Sequence, residues 1–372
     1  MKIAIHAADL DHERIDGTRV YIFNMLKNFG VLDERDSFYI YHRSKFNARL
    51  TPPAFANYFI KKISFPMLWT QLRFSFEIFR DRPDVLWMPM HNAPVFKRKN
   101  LKVAVTIHDL AFKIFPEYFP KKDLMKLNAL CSHAVRSSDR IIAISEVTKN
   151  DILKFFPEVS SEKISVIHHG FDRELFEKEI PIAESESVLN IYNLAPESYL
   201  LYVGAIQPRK DLVTLIGAFE KVREKHAGLK LVLAGAPAWH AEGVLNAIEA
   251  SPYKNDIVVT GTIAFDKLPA LYQNATAFVF PSLYEGFGIP VLEAMASRTP
   301  TILADNSSLL EVGQEAALYF KTSDKNDLSE KILQIMTDKD FRKQLIEKGK
   351  AHSEKFSWVK CANATLDNLM KW

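Results

Sequence analysis

The residues best suited to chemistry lie between positions 284 and 300. Glu285 and Glu293 stand eight residues apart, the first in a glycine loop and the second on the helix that the loop feeds. An apolar run at 277–280, closed by Pro281, reads as the strand leading into that loop. Pro290 suits the first helical position, where its missing N–H would be unpaired anyway. Glu293 then falls in the first turn, where the positive end of the helix dipole favours a carboxylate. Gly286 and Gly288 remove side chains beside the helix start, so a ligand can reach the backbone around Phe287 and Ile289. Carboxylates take paired hydroxyls and backbone N–H groups take phosphate oxygens, which together suit a sugar nucleotide. A strand–turn–helix unit bearing two surface acids has the same spacing; the glycines, the prolines and the preceding strand favour the ligand site.

A second group follows the strand expected at 199–204. Gly204 ends it, and Arg209 and Lys210 precede Asp211 and an apolar helical stretch. An arginine that clamps two oxygens beside a lysine point charge suits a diphosphate. The competing reading is a basic helix start with Asp211 as its cap, but cations there are disfavoured unless an anion sits nearby. A further strand-to-loop edge carries Gly261 and Ile263, with Leu268 and Tyr272 following.

In the first half, Gly17 opens the first long helix after Asp16. His108 and Asp109 end the apolar run 101–107, where His108 competes with the reading of a satisfied loop histidine and Asp109 is better placed to orient the loop. His91 and Asn92 end another strand and, with Asp109, are candidate acceptor contacts. Ser145 reads as a helix N-cap, and His169-Gly170-Phe171-Asp172 as a turn. Asp9 and Asp11 form a carboxylate pair two apart, a spacing common by chance, and no histidine or cysteine grouping has metal-ligand spacing. No metal site is expected.

The elements that must position these groups alternate throughout. Strands are expected at 2–7, 37–42, 84–88, 101–107, 140–144 and 164–168, then at 199–204, 229–234, 256–260, 277–280, 300–303 and 317–320. Helices fill the gaps, among them 18–29, 66–80, 121–137, 211–226 and 324–352. This alternation is that of parallel βαβ units. The polar, strandless stretch 177–187 reads as a linker, which places domains at 1–180 and 181–355, followed by a terminal helix at 356–372. In doubly wound sheets ligands bind beyond the carboxyl ends of the strands.

At 372 residues the chain fits two domains better than one core. Hydrophobic content of 48% with 25% charge is that of a globular protein, and there is no apolar run of 18 residues. Met1 leads directly into a strand, and Cys131 and Cys361 match no redox motif, so a cytoplasmic location is expected. Residues 1–180 hold 28 Lys and Arg against 22 Asp and Glu, a net of +6; the remainder holds 20 against 23, a net of −3. The basic half could face an anionic membrane or a phosphate-bearing acceptor, or be an ordinary solvated surface. Residues 58–69 are basic and aromatic together, and Lys113, Lys121, Lys122 and Lys126 lie among Phe112, Phe115, Tyr118 and Phe119. Peripheral membrane contact and core aromatics with a lysine fringe both fit. Nothing suggests a nucleic-acid partner.

The 284–300 run, the Arg209-Lys210 pair and the His108-Asp109 pair together resemble the retaining glycosyltransferases of the GT4 family. The resemblance covers nearly the whole chain, although the loop after the first strand keeps only Gly17 where two glycines are usual. It implies an α/β protein of GT-B fold: two doubly wound, Rossmann-like domains facing across a cleft, with a terminal helix crossing back to the first. It implies that Glu293 holds the nucleotide ribose and that Glu285 and His108 lie against the donor sugar. Arg209 and Lys210 would hold the diphosphate, and the backbone and side chains around Gly261, Ile263 and Leu268 the base. The implied reaction moves a hexose from a nucleotide diphosphate sugar to a hydroxyl of a glycan or lipid-linked glycan, without cofactor or metal. Trp69-Thr70-Gln71 and the run from Pro89 to Pro94 are similar to polysaccharide mannosyltransferases, which favours mannose. A non-catalytic nucleotide-sugar-binding scaffold and a GT-B phosphorylase are the alternatives.

Overall fold

Most of the short apolar runs in the sequence are strands, and those at the centre of each sheet are buried on both faces. A computed structural model describes residues 1–372 and contains thirteen strands in two sheets. The first comprises β1 (Lys2–His6), β2 (Ser37–His42), β3 (Tyr58–Lys62), β4 (Val85–Met88), β5 (Lys102–Ile107), β6 (Arg140–Ala143) and β7 (Ile164–Val166), in the order β3-β2-β1-β4-β5-β6-β7. The second comprises β8 (Tyr199–Val203), β9 (Lys230–Ala234), β10 (Ile257–Val259), β11 (Ala277–Phe280), β12 (Thr301–Ala304) and β13 (Leu318–Phe320), in the order β10-β9-β8-β11-β12-β13. All pairs are parallel. Strand order therefore reverses at β1/β4 in one sheet and at β8/β11 in the other. These are the points where a doubly wound sheet opens a crevice at its carboxyl end.

The chain divides into two compact units. The first holds residues 1–116, 120–170 and 358–372; the second holds 117–119 and 171–357. The chain thus passes between units at Gly170–Phe171, ten residues before the expected boundary. The stretch read as a linker is instead partly helical: Ile182–Ile191 forms a helix whose Ser185, Val188 and Leu189 are buried. Glu177 and Glu179 before it and Glu184 and Glu186 on its exposed side give this helix the composition of a polar linker.

In the first unit the helix Gly17–Leu32 starts where the Asp16 carboxylate accepts the Arg19 N–H at 3.3 Å. Its buried face is Tyr21, Ile22, Met25, Leu26 and Phe29, one stripe of a 3.6-residue period. The helix Trp358–Met370 packs against it, with the Trp358 ring 6.3 Å from Tyr21. Arg140 donates to the carbonyls of Asn368 and Lys371 and stacks 4.5 Å from the Trp372 ring, and Asn368 donates to Ser165 Oγ at 2.8 Å.

β3 was not expected from the sequence. Tyr58–Lys62 pairs with β2 as the edge of the first sheet, with Tyr58 turned inward to donate to the Leu26 carbonyl at 2.6 Å. In the second basic stretch Lys121, Lys122 and Lys126 are exposed, whereas Lys113 is drawn inward. Lys113 Nζ donates to Asn128 Oδ1 at 2.9 Å and lies over the Phe156 ring, with Phe112 buried. The long helix expected at 324–352 is two, Lys325–Thr337 and Lys339–Ser353. Asp338 ends one and caps the other by accepting the Phe341 N–H at 2.9 Å. No helix is long and apolar enough to cross a membrane.

Candidate functional site

Parallel pairing of β8 with β11 brings two loops together in the second unit. One runs from Gly204 to Asp211, the other from Pro281 to Gly288. They are fastened by the Leu283 N–H, which donates to the Arg209 carbonyl at 2.9 Å. Arg209 in turn donates to the Tyr284 carbonyl. Two cations then converge on one buried carboxylate: Arg209 Nη1 lies 3.3 Å from Glu285 Oε2, and Lys210 Nζ donates to Glu285 Oε1. Lys210 also sits 5.2 Å from the centre of the Phe280 ring. Burial by itself would raise the Glu285 carboxyl. The charges of Lys210 and Arg209, with hydrogen bonds from Lys210 and Ser282, outweigh it and hold the group below its ordinary value. Glu285 is therefore an anion near neutral pH, and the pair of cations is preassembled.

Arg209 and Lys210 stand directly before a helix start, with Asp211 at its N-cap position, as the competing reading placed them. They occupy a short 3₁₀ turn, Pro208–Lys210, and the helix Leu212–Arg223 follows. Asp211 between them has φ 47°, and its carboxylate takes the hydroxyls of Thr214 at 2.9 Å and Ser323 at 2.8 Å.

Glu293 differs from its expected setting. The helix runs Ile289–Ala296 with no acid in its first turn, so Glu293 lies one turn further in, beyond the best of the dipole. It is buried, and its Oε2 accepts the Tyr272 hydroxyl at 3.0 Å. Burial raises its carboxyl to about 7; the Tyr272 hydrogen bond opposes this and the Asp172 charge adds to it. Tyr272 is itself held: its carbonyl accepts Thr299 Oγ1 at 2.7 Å, and Phe176 lies edge-on at 5.7 Å. One helix thus carries a carboxyl poised near neutrality, and the loop before it a permanent carboxylate.

The loop is pinned from below by residues the sequence reading passed over. Ser307 Oγ accepts the Glu285 N–H at 3.1 Å, and Ser308 Oγ lies 2.9 Å from the carbonyls of both Glu285 and Phe287. Asn306 donates to the Ser282 carbonyl at 3.0 Å. Their only sequence signal is position: a polar Asn-Ser-Ser run directly after β12, beside β11 in the sheet. Gly288 has φ 106°, a conformation that requires glycine and turns the chain into the helix. Gly286, Phe287 and Ile289 complete this turn. Gly204 has φ 149°, and its carbonyl would lie 1.9 Å from a Cβ at Gly235, so the two strand ends approach backbone to backbone. Gly261 has φ 69° and open space beside it, Ile263 is half-buried in the loop after β10, and Leu268 is buried at the start of the helix Leu268–Gln273.

In the first unit His108, at the end of β5, holds the Pro89 carbonyl after β4 through Nε2 at 2.9 Å. A carbonyl only accepts, so Nε2 carries the hydrogen and Nδ1 is the acceptor atom of the ring. Tyr21 meets the ring edge-on at 5.1 Å. Burial lowers the His108 imidazole below its ordinary value, and does the same to His91. Asn92 donates to Thr70 Oγ1 at 3.1 Å and accepts from Gln71 at 3.4 Å. Asp109 accepts the Ala111 N–H at 3.0 Å and so shapes its own loop. Gly17 is the first helical residue, with nothing within 4 Å of a Cβ placed there. Ser145 caps its helix through the Thr148 N–H at 3.0 Å, and Asp11 accepts His42 Nδ1 at 3.0 Å with two backbone N–H groups. His169 is a buried ring stacked 4.7 Å from Tyr21.

Two family models match the chain. The one described as glycosyl transferases group 1 matches residues 190–352, and the one described as glycosyltransferase family 4 matches residues 16–175. The O-antigen chain mannosyltransferase B of Escherichia coli is 29% identical over 290 residues, covering 77% of this chain and 74% of that protein. The serotype-specific mannosyltransferase WbdA of Escherichia coli is 30% identical over 238 residues, which is 63% of this chain but only 29% of WbdA. A crystal structure of the Anabaena protein HepE in complex with UDP and glucose covers all of both chains at 16% identity with a TM-score of 0.76. At that identity the likeness is one of fold, and the fold is GT-B.

Proposed function

This chain belongs to the GT4 family of glycosyltransferases, and from that premise we propose that it moves mannose from a nucleotide diphosphate sugar to a hydroxyl of a growing glycan or lipid-linked glycan. The reaction is metal-independent and retains configuration at the anomeric carbon. The observation that carries the reading is the buried Arg209–Glu285–Lys210 group at the β8/β11 crevice. Two preassembled cations are what a departing diphosphate needs, because charge that builds up in the transition state is then met without reorganisation. Mannose is supported by the names of the two Escherichia coli relatives, both mannosyltransferases.

In this reading the donor diphosphate lies against Arg209 and Lys210, sharing them with Glu285. The bond from the anomeric carbon to the phosphate oxygen breaks as the acceptor oxygen bonds to the same face of that carbon. The acceptor proton passes to the leaving phosphate oxygen, so no enzyme base has to hold it. Glu293, as carboxylate, takes the ribose hydroxyls in place of the Tyr272 hydroxyl. His108 serves a sugar hydroxyl through Nδ1, and His91 and Asn92 serve the acceptor. Backbone N–H groups from Gly286 to Ile289 complete the phosphate contacts. The enzyme acts in the cytoplasm, at the inner face of the membrane.

The test is thermal shift and slow donor hydrolysis across GDP-, UDP- and dTDP-sugars in EDTA, for the native protein and for Glu293→Ala. GDP-mannose is expected to stabilise the native protein, to be hydrolysed in EDTA, and to lose its effect in the variant. Stabilisation by none of these donors, with the protein folded, would sink the transferase reading and leave a binding scaffold.

A further inference from the structure

The loop after β3 and the helical segment that follows it expose apolar side chains that the core does not use. Leu72, Phe76 and Phe79 are exposed along a π-helical turn, Thr70–Phe74, and the α-helix Ser75–Asp81 that continues it, with Leu68 exposed just before them; together they form an apolar stripe on the outer side of the segment. Leu68 opens that segment, since its carbonyl accepts the N–H of Leu72 at 2.9 Å. Exposure reaches 66% at Leu68, 58% at Phe76 and 63% at Phe79, and Met67 in the preceding turn is 74% exposed. The opposite face, Phe74, Ser75 and Ile78, is buried, so the segment is firmly seated and its outer stripe is presented rather than frayed.

The stripe continues onto a neighbouring loop. Gln71 donates to the Ala93 carbonyl at 3.1 Å and accepts the Val95 N–H at 2.8 Å. This sets the exposed Val95 and Phe96 beside the stripe, and the same glutamine reaches Asn92.

Charge identifies what covers this surface. Residues 43–99 carry eleven Lys and Arg against three Asp and Glu, a net of +8 in a chain whose total is +3. The three acids are all engaged: Glu77 is buried against Arg73 and Arg80, Asp81 holds Lys61 and the Tyr41 hydroxyl, and Asp84 accepts the Lys2 N–H. Lys45, Lys62 and Lys99 are exposed. A second copy of the chain would bring two such basic faces together. An anionic bilayer instead offers acyl chains to the stripe and headgroups to its cationic flanks.

We infer that residues 65–79, with Val95 and Phe96, dock the first unit onto an anionic membrane surface. The Gln71 bridge then keeps the Asn92 loop next to the bilayer. This names a partner for the transfer reaction proposed above and is independent of which donor that reaction uses.

The experiment is co-sedimentation of the full chain with phosphatidylcholine vesicles, with and without phosphatidylglycerol, alongside sedimentation velocity without lipid. The native protein is expected to pellet only with the anionic vesicles and to be released by salt. Phe76→Ser/Phe79→Ser should weaken binding on the order of a hundredfold from lost apolar burial. Lys45→Gln/Lys62→Gln/Lys99→Gln should weaken it by a similar factor. Donor hydrolysis in lipid-free solution should stay unchanged in both variants, which separates this inference from the transferase reading. Equal binding to both vesicle types, no binding to either, or a self-association abolished by Phe76→Ser/Phe79→Ser would each overturn it.

Discussion

The two units repeat one strand order and equip it with opposite chemistry. At the β8/β11 crevice, charges are buried in a compensating set and a second carboxyl is poised near neutrality. At the carboxyl ends of β4 and β5, the polar groups are imidazoles that burial keeps neutral, with an amide beside them. In the proposed reading the same backbone therefore supports a site for an anion in one unit and a site for uncharged hydroxyls in the other. The difference lies in a few loop residues after the strands, which is where a doubly wound fold leaves side chains free to vary.

Breaking the charged set should have the largest effect. Lys210→Met leaves Glu285 buried against one remaining cation, at a cost of about 3–5 kcal/mol in a denaturant melt, and abolishes measurable transfer. Adding Glu285→Leu should restore much of the stability while transfer stays absent, because buried ion pairs are replaceable by apolar packing but catalysis is not. Recovered turnover in the double variant would show that the charges serve only the fold.

Next in size is the pH response of Glu293. Its carboxyl titrates at about 7 in the fold against an ordinary 4.5, so the stabilisation is full below 4.5 and is lost as pH rises through 7. The span corresponds to about 3 kcal/mol. Donor binding runs the other way, since ribose hydroxyls need the carboxylate, and affinity should fall about tenfold per pH unit below 7. Glu293→Gln should flatten both profiles in melting curves and titration calorimetry.

The smallest effect sharpens the contrast from the first unit. The His108 imidazole titrates below its ordinary 6.5, so a rate that depends on its neutral form shows no break on passing through 6.5. His108→Ala should lower kcat by roughly 10²-fold through lost positioning of the sugar without moving the pH profile, whereas a lost inflection near 6.5 would mean that the ring is charged.

Much of the fold was legible because most of its strands are apolar runs with no other plausible state. β3 was not: Phe59 and Ile60 are exposed and Lys61 and Lys62 follow, so an edge strand carried the composition of a surface segment. At the site, residue types close in sequence were readable and their partners were not. Glu285 was visible from its glycines, but its links to Arg209 and Lys210 span 76 and 75 residues and are made only by β8 lying against β11. The spacing put Glu293 on the helix, where it lies, but in the first turn, where it does not. A helix dipole would have lowered its carboxyl, and burial raises it instead, against the Tyr272 hydrogen bond.

The helix Trp358–Met370 belongs to the first unit although 187 residues of the second lie between it and Gly170. During synthesis at roughly 5–20 residues per second, the surface of Gly17–Leu32 that Trp358 will cover stays bare for roughly 10–40 s. The first unit is thus begun first and finished last. Translation speed through the second unit sets how long the ribosome or its attendant chaperones must shield that surface.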